Sequence, residues 1–301
     1  MKNILIAFSF IVAGATAFSQ QLSTIQNHRP QVKNKLRAKT IILPGNVNLE
    51  YVETGTNTGN PVVFLHGISD SWHSFESTLK LLPSSVHAFA ISLRGHGNSS
   101  KLHSSYTIKD FANDVANFIE KKRLGKVIIA GHSMGGLVAQ QFALDHPSLT
   151  KAVVVISSDA CFKDNAGMPE FYQEVLQIKD TLSYDFMDAF QKATLAKPIN
   201  EDYYRLLVTE SMKPTVTVFR NAFTDIMDTD LTDSLKKLNK PVLLLWGDKD
   251  GFIAMSDQDQ LVKQIKNAKL VIYKGTGHAL HWEEPNRFVS DLLNFVQLVN
   301  Y

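Results

Sequence analysis

Residues 127–136, Val-Ile-Ile-Ala-Gly-His-Ser-Met-Gly-Gly, leave the chain few ways to fold. The first five read as a buried strand. A Gly-x-Ser-x-Gly turn follows at once, and from Met134 an apolar face at helical spacing runs through Leu137, Val138, Phe142 and Leu144. A serine between such a strand and such a helix sits on a sharp backbone turn, its hydroxyl raised over the helix N-terminus. Glycines at 131 and 135 fit because side chains there would collide where strand and helix converge. The expected product is a serine nucleophile, Ser133, with the backbone N–H of Met134 beside it to receive a developing oxyanion.

The segments around this turn place more chemistry at strand ends. Residues 40–43, a Pro-Gly turn and 47–53 form a hairpin signal, and Val62-Val63-Phe64-Leu65 is a short, continuously apolar strand of the kind buried in parallel sheets. His66-Gly67-Ile68 follows it directly, so Ile68 is expected to supply the second oxyanion N–H, with His66 bracing the loop. Strands are expected over 86–92, 151–156, 241–246 and 269–273, and core helices over 72–82, 108–121, 256–265 and 285–299. Strand, helix and strand in alternation specify an α/β fold, a mostly parallel sheet with helices on both faces. After the strand at 241–246 comes Gly-Asp-Lys-Asp-Gly, and after that at 269–273 comes Gly-Thr-Gly-His. A serine needs an adjacent base and the base needs a carboxylate to hold its tautomer, so His278 and Asp250 are assigned those roles. Asp248 lies in the tight turn and reads as a local backbone cap. Asp159, behind another strand, is the alternative acid.

Between 159 and 238 the alternation stops. Four helical patterns (171–179, 183–193, 203–212 and 216–227) with no convincing strand read as a cap over the C-terminal edge of the sheet, where ligands of such sheets bind. Its apolar residues are too many for solvated helices. Phe162 and Phe219 from the cap, with Trp72 and His281 from the core, are the expected substrate contacts; most of the cap's aromatics and methionines are expected to hold the cap to the sheet, and a remainder facing Ser133 to line an apolar pocket. His278 and His281 have no convergent carboxylate or cysteine pattern, so neither a metal nor a cofactor is called for.

Taken together, these segments resemble the α/β-hydrolase superfamily over residues 40–300. Leu65-His66-Gly67, the run from Arg94 to Ser99, the run from Gly131 to Gly136, Trp246 to Asp250, and Gly277-His278 with Trp282-Glu283-Glu284-Pro285 carry the likeness. Serine, aspartate and histidine also follow in that superfamily's order. The likeness is greatest to its capped esterases, lactonases, cofactor-free haloperoxidases and carbon–carbon bond hydrolases. It implies hydrolysis of a small or medium-sized carboxylic ester or lactone through an acyl-enzyme. Carbon–carbon bond hydrolysis, and haloperoxidase or perhydrolase activity, are the alternatives on the same three residues. A small-molecule receptor without turnover is the alternative of another class. Epoxide hydrolases and haloalkane dehalogenases carry aspartate where this chain has Ser133. One departure is Ser92, where the superfamily usually has aspartate, which puts the bracing of the 94–99 loop in question.

The chain begins with Met-Lys, an apolar run over 4–12 and small residues at 13, 15 and 17, the pattern of a secretory signal peptide over residues 1–19. Its apolar run is too short to span a bilayer, which takes about 20 residues. Cleavage is expected after Ser19, with Ala17 the alternative, leaving a secreted or periplasmic protein with no stable membrane anchor. Residues 20–38 then form a polar arm, 39–158 and 239–301 the core, and 159–238 the cap. Without Lys2 the mature chain has 30 basic against 29 acidic residues, a balance that gives nucleic acid no basic surface to meet. Cys161 is the only cysteine, so no internal disulfide can form and the core must supply the stability.

Overall fold

A computed structural model describes residues 36–102 and 105–300. The signal peptide and nearly all of the polar arm lie outside the described residues. From Leu36 onward the chain forms one compact unit. Its centre is an eight-stranded sheet in the order β1-β2-β4-β3-β5-β6-β7-β8. These are β1 Ala38–Leu43, β2 Val47–Thr54, β3 Asn60–Leu65, β4 Val86–Ile91, β5 Val127–His132, β6 Thr150–Ile156, β7 Val242–Gly247 and β8 Ala268–Tyr273. β1, β2 and β4 pair antiparallel, and all pairings from β4 through β8 are parallel. Alternate residues of the central strands feed two cores. Val63, Ile129, Val153 and Leu244 face one, while Phe64, Ile128, Val154 and Leu245 face the other. Burial on both faces explains why these strands read as unbroken apolar runs.

Helix α1 (Glu76–Leu81) packs against the second core. Helices α2 (Ile108–Lys122) and α3 (Met134–Asp145) cover the first core. Thr107 caps α2 by accepting from the Asp110 N–H while Asp110 accepts from the Thr107 N–H, a reciprocal box that fixes where the helix starts. Four helices stand between β6 and β7: α4 (Met168–Gln177), α5 (Tyr184–Ala193), α6 (Glu201–Ser211) and α7 (Val216–Asp228). Ser183, Asn200 and Thr215 cap α5, α6 and α7 with their side chains. Helix α8 (Met255–Gln264), the single turn α9 (Leu280–Glu283) and α10 (Pro285–Leu298) complete the core.

The sequence expectations differ from this fold in four places. β1 begins at Ala38 rather than 40. The helix expected over 72–82 is a 3-10 turn, Trp72–Phe75, joined to α1, because the Ser71 hydroxyl accepts the His73 N–H and tightens the first turn. The stretch 159–238 contains one antiparallel bridge, Cys161 to Asp230, tying its ends together. Helix α9 is unanticipated, being too short to show a period. Among the described residues no helix is long and apolar enough to cross a membrane.

Candidate active site

Ser133, Ile68, Asp250 and His278 lie beyond the C-terminal ends of β5, β3, β7 and β8, on one edge of the sheet. Ser133 has φ 52° and ψ −120°, a backbone state that costs a non-glycine residue of order 1–3 kcal/mol. What enforces it is the packing of its neighbours. A Cβ on Gly131 would run into the carbonyl of Gly135, and one on Gly135 into the carbonyl of Leu65. The turn is thus pressed between β5, α3 and β3, and the serine side chain is forced outward over the N-terminus of α3, where the helix dipole is positive. Met134 is the first residue of α3. Among the described residues neither its N–H nor that of Ile68 donates a hydrogen bond to the protein.

Asp250 and His278 meet because β7 and β8 are neighbours whose outgoing turns touch. A Cβ on Gly247 would meet the carbonyls of Thr276 and Gly277, so only glycine permits that approach. The Asp250 carboxylate accepts the N–H groups of Phe252 and Ile253 at 2.8 and 3.1 Å, which fixes its orientation. His278 Nδ1 then stands 3.0 and 2.9 Å from its two oxygens, with the Asp250 side chain fully buried. With Nδ1 turned to the carboxylate, Nε2 is the nitrogen left to act as base. Ser133 and His278 both line one cavity, with Ile68 beside them. Glu283 holds the histidine loop to the helical insertion, its Oε1 accepting from the N–H groups of both Gly277 and Ala196.

The other acids sit elsewhere. Asp248 accepts the Gly275 N–H at 2.6 Å and so ties the two loops together, instead of capping its own turn. Asp159 accepts from Ala160, and burial with Asp257 and Asp230 nearby pushes its carboxyl up to about 6. Ser92 is compensated. Its hydroxyl donates to Glu50, which also takes the side-chain and backbone N–H groups of Asn98, while Arg94 forms a two-pronged pair with Asp114. The loop is braced by a carboxylate from β2. His66 bridges the same region, with Nδ1 on the Gly67 carbonyl at 2.7 Å and Nε2 accepting from Leu93 at 2.9 Å.

Of the four expected substrate contacts only Phe162 lines the cavity, with Met168, Phe171, Phe190, Phe223 and Phe252 around it. Trp72 lies in the core on the opposite sheet face, stacked on His73, because the 3-10 turn points it inward. Phe219 is one layer behind the wall, fully buried and edge-on to Phe186 and Phe190. His281 is also fully buried, stacked on Phe75 and bonded to Ser74 Oγ, and burial holds its imidazole down at about 3, so it is neutral. These three do not line the cavity at Ser133. Phe252 was missed because it belongs to no periodic element, although it follows Asp250 by only two residues. The cavity is about 20 Å³, room for roughly one water, so any larger group must displace the phenyl rings.

Residues 60–285 match the family model described as alpha/beta hydrolase fold. A pimeloyl-[acyl-carrier protein] methyl ester esterase of Pectobacterium carotovorum is 27% identical over 255 residues, covering 82% of this chain and 98% of that protein. Epoxide hydrolase 1 of Caenorhabditis elegans is 26% identical, covering 98% of this chain and 78% of its own. Among solved structures an esterase of Exiguobacterium antarcticum superposes with a TM-score of 0.78 at 21% identity, covering 87% of this chain and all of that one, a likeness of fold.

Proposed function

Because the chain belongs to the α/β-hydrolase fold family and is a hydrolase, we propose that it is an exported serine hydrolase cleaving small or medium-sized carboxylic esters or lactones through Ser133, His278 and Asp250. The observation that carries this reading is the fixed Asp250–His278 pair, whose histidine lines the same cavity as Ser133. The Ser133 hydroxyl adds to the ester carbonyl and gives its proton to His278 Nε2. Asp250 stabilises the resulting imidazolium, and the N–H groups of Ile68 and Met134 receive the oxyanion. Collapse returns the proton from His278 to the departing alkoxide, leaving an acyl-serine. Water, deprotonated by the same imidazole, then releases the acid. Serine in place of aspartate at the nucleophile position disfavours the chemistry named in the epoxide hydrolase relative, and the methyl ester esterase relative has the chemistry proposed here.

On this proposal residues 1–19 are an export signal, 20–38 a polar arm, and 159–238 a helical cap on a core formed by 39–158 and 239–301. The phenyl-lined cavity supports compact apolar acyl or alcohol groups. A panel of esters, thioesters and lactones of graded acyl length, with Ser133→Ala protein as blank, tests the assignment. Higher kcat/KM for short and medium acyl chains than for chains of about sixteen carbons is expected. Stoichiometric binding with no turnover of any member would instead make the protein a receptor.

A further inference from the structure

The cavity at Ser133 has a neighbour that shares Ile68 and Phe190 with it and adds buried polar side chains. A second pocket of about 10 Å³ is shared with Ser133 and His278, and Gly67, Asp70, Gln191, Thr194 and Trp282 close it. Asp70, Gln191 and Thr194 are each at least nine-tenths buried. Gln191 Nε2 donates to Asp70 Oδ1 at 2.9 Å, joining helix α5 to the loop after β3 across 121 residues of sequence. The Thr194 hydroxyl donates to the Gln191 carbonyl at 2.7 Å and the Trp282 indole N–H to the Ser74 carbonyl at 2.9 Å, so neither is free, while the Ile68 N–H on the same wall is the one assigned to the oxyanion. The acceptors are in excess, because a carboxyl offers about four lone-pair sites and the Gln191 side-chain oxygen accepts no bond among the described residues. Among the described residues no lysine or arginine acts on Asp70. Burial outweighs the hydrogen bonds from Gln191, Ser74 and Gly67, and with Glu210 nearby it pushes the carboxyl up to about 7.

A pocket with room for about one heavy atom, where a buried carboxyl and a buried amide oxygen keep unused acceptor capacity, is complementary to a single small donor. A hydroxyl suits it better than an ammonium, since O–H can donate to the ionised carboxyl or accept from the neutral one, and it carries no charge to desolvate. We propose that Asp70 and Gln191 form a specificity subsite for a substrate hydroxyl beside the scissile carbonyl, so that the preferred substrates are hydroxy-esters with an apolar group in the phenyl-lined lobe. This rests on the serine hydrolase reading of the site, which it deepens.

The test separates the two. Ser133→Ala protein is titrated calorimetrically with two matched pairs: methyl 3-phenylpropanoate against its 3-hydroxy derivative, and ethyl phenylacetate against 2-hydroxyethyl phenylacetate. One pair places the hydroxyl on the acyl side, the other on the alcohol side. In at least one pair the hydroxylated ester is expected to bind about tenfold tighter, the worth of one hydrogen bond to a charged group. Adding Asp70→Leu, which keeps the volume and removes the acceptors, should bring the ratio to within about twofold. Gln191→Met, on the facing helix, should lower it as well, and thermal unfolding confirms that each variant is folded. Equal binding within both pairs, a preference surviving both substitutions, or tighter binding of the amino analogue than of the hydroxy one would overturn the proposal. Turnover of the deoxy esters by the wild-type enzyme in the face of such a result would leave the hydrolase reading standing. A hydroxyl preference in the Ser133→Ala protein without turnover by the wild type would do the reverse.

Discussion

At the scale of single residues the site is a set of side chains whose freedom has been removed by backbone contacts. Asp250 is held by two N–H groups before it meets His278, so its carboxylate is aimed without cost at the moment of reaction. Asp250→Asn keeps the shape but exchanges an acceptor for a donor, and the imidazole then settles in the tautomer that cannot take the serine proton. Turnover of a chromogenic ester should fall by about 10⁴-fold, with an unchanged thermal midpoint to within a few degrees. Near-normal turnover would move the acid to another carboxylate. Asp159, bonded to Ala160, and Asp248, bonded to Gly275, are both spoken for by backbone groups.

At the scale of elements, the phenyl wall comes from five places: the segment after β6, α4, α5, α7 and the loop after β7. Phe190 on α5 stands where the two lobes meet, 5.4 Å from the Phe171 ring and 6.1 Å from Phe252. Phe190→Ala should open the cavity towards the interior of the helical insertion. The ratio of kcat/KM for a twelve-carbon acyl ester to that for a four-carbon one is expected to rise about tenfold, at a stability cost of about 1–3 kcal/mol for a half-buried ring. An unchanged chain-length profile would place the acyl group elsewhere. What the sequence could and could not disclose follows the same division into elements. Strands buried on both faces announce themselves as continuous apolar runs, and the glycines at 131, 135 and 247 mark where two backbones must touch, so the sheet and the segments bearing Ser133, Asp250 and His278 could be read directly. The direction of a side chain on an irregular segment could not. Trp72 neighbours the Ile68 loop in sequence, yet the 3-10 turn rotates it into the opposite core. His281 follows His278 by three residues, and the α9 turn carries it behind the site against Phe75. Phe219 has the spacing of a cavity residue on α7, but another layer of rings stands in front of it. The Asp70–Gln191 contact joins the loop after β3 to helix α5, far apart in the chain, and no local pattern encodes it.

At the scale of the whole molecule, Ser133, Ile68, Asp250 and His278 gather at one edge of the sheet, and side chains of the helical insertion leave a cavity of about 20 Å³ at Ser133 and His278. On the proposed function, substrate entry displaces these rings, which would favour compact substrates and shield an acyl-enzyme from bulk water. Export adds a second whole-chain claim. The apolar start should be removed in a cell that secretes the protein, and N-terminal sequencing of the exported material should begin at Gln20, or at Phe18 if cleavage follows Ala17; a retained Met1 would contradict it. The central claim is that one serine, and only one, is activated. It is tested most directly by incubating the folded protein with a fluorophosphonate probe and mapping the adduct by mass spectrometry. A single stoichiometric adduct on Ser133, abolished by His278→Ala, is the predicted result. Labelling at another residue, or no labelling of folded protein, would contradict the account.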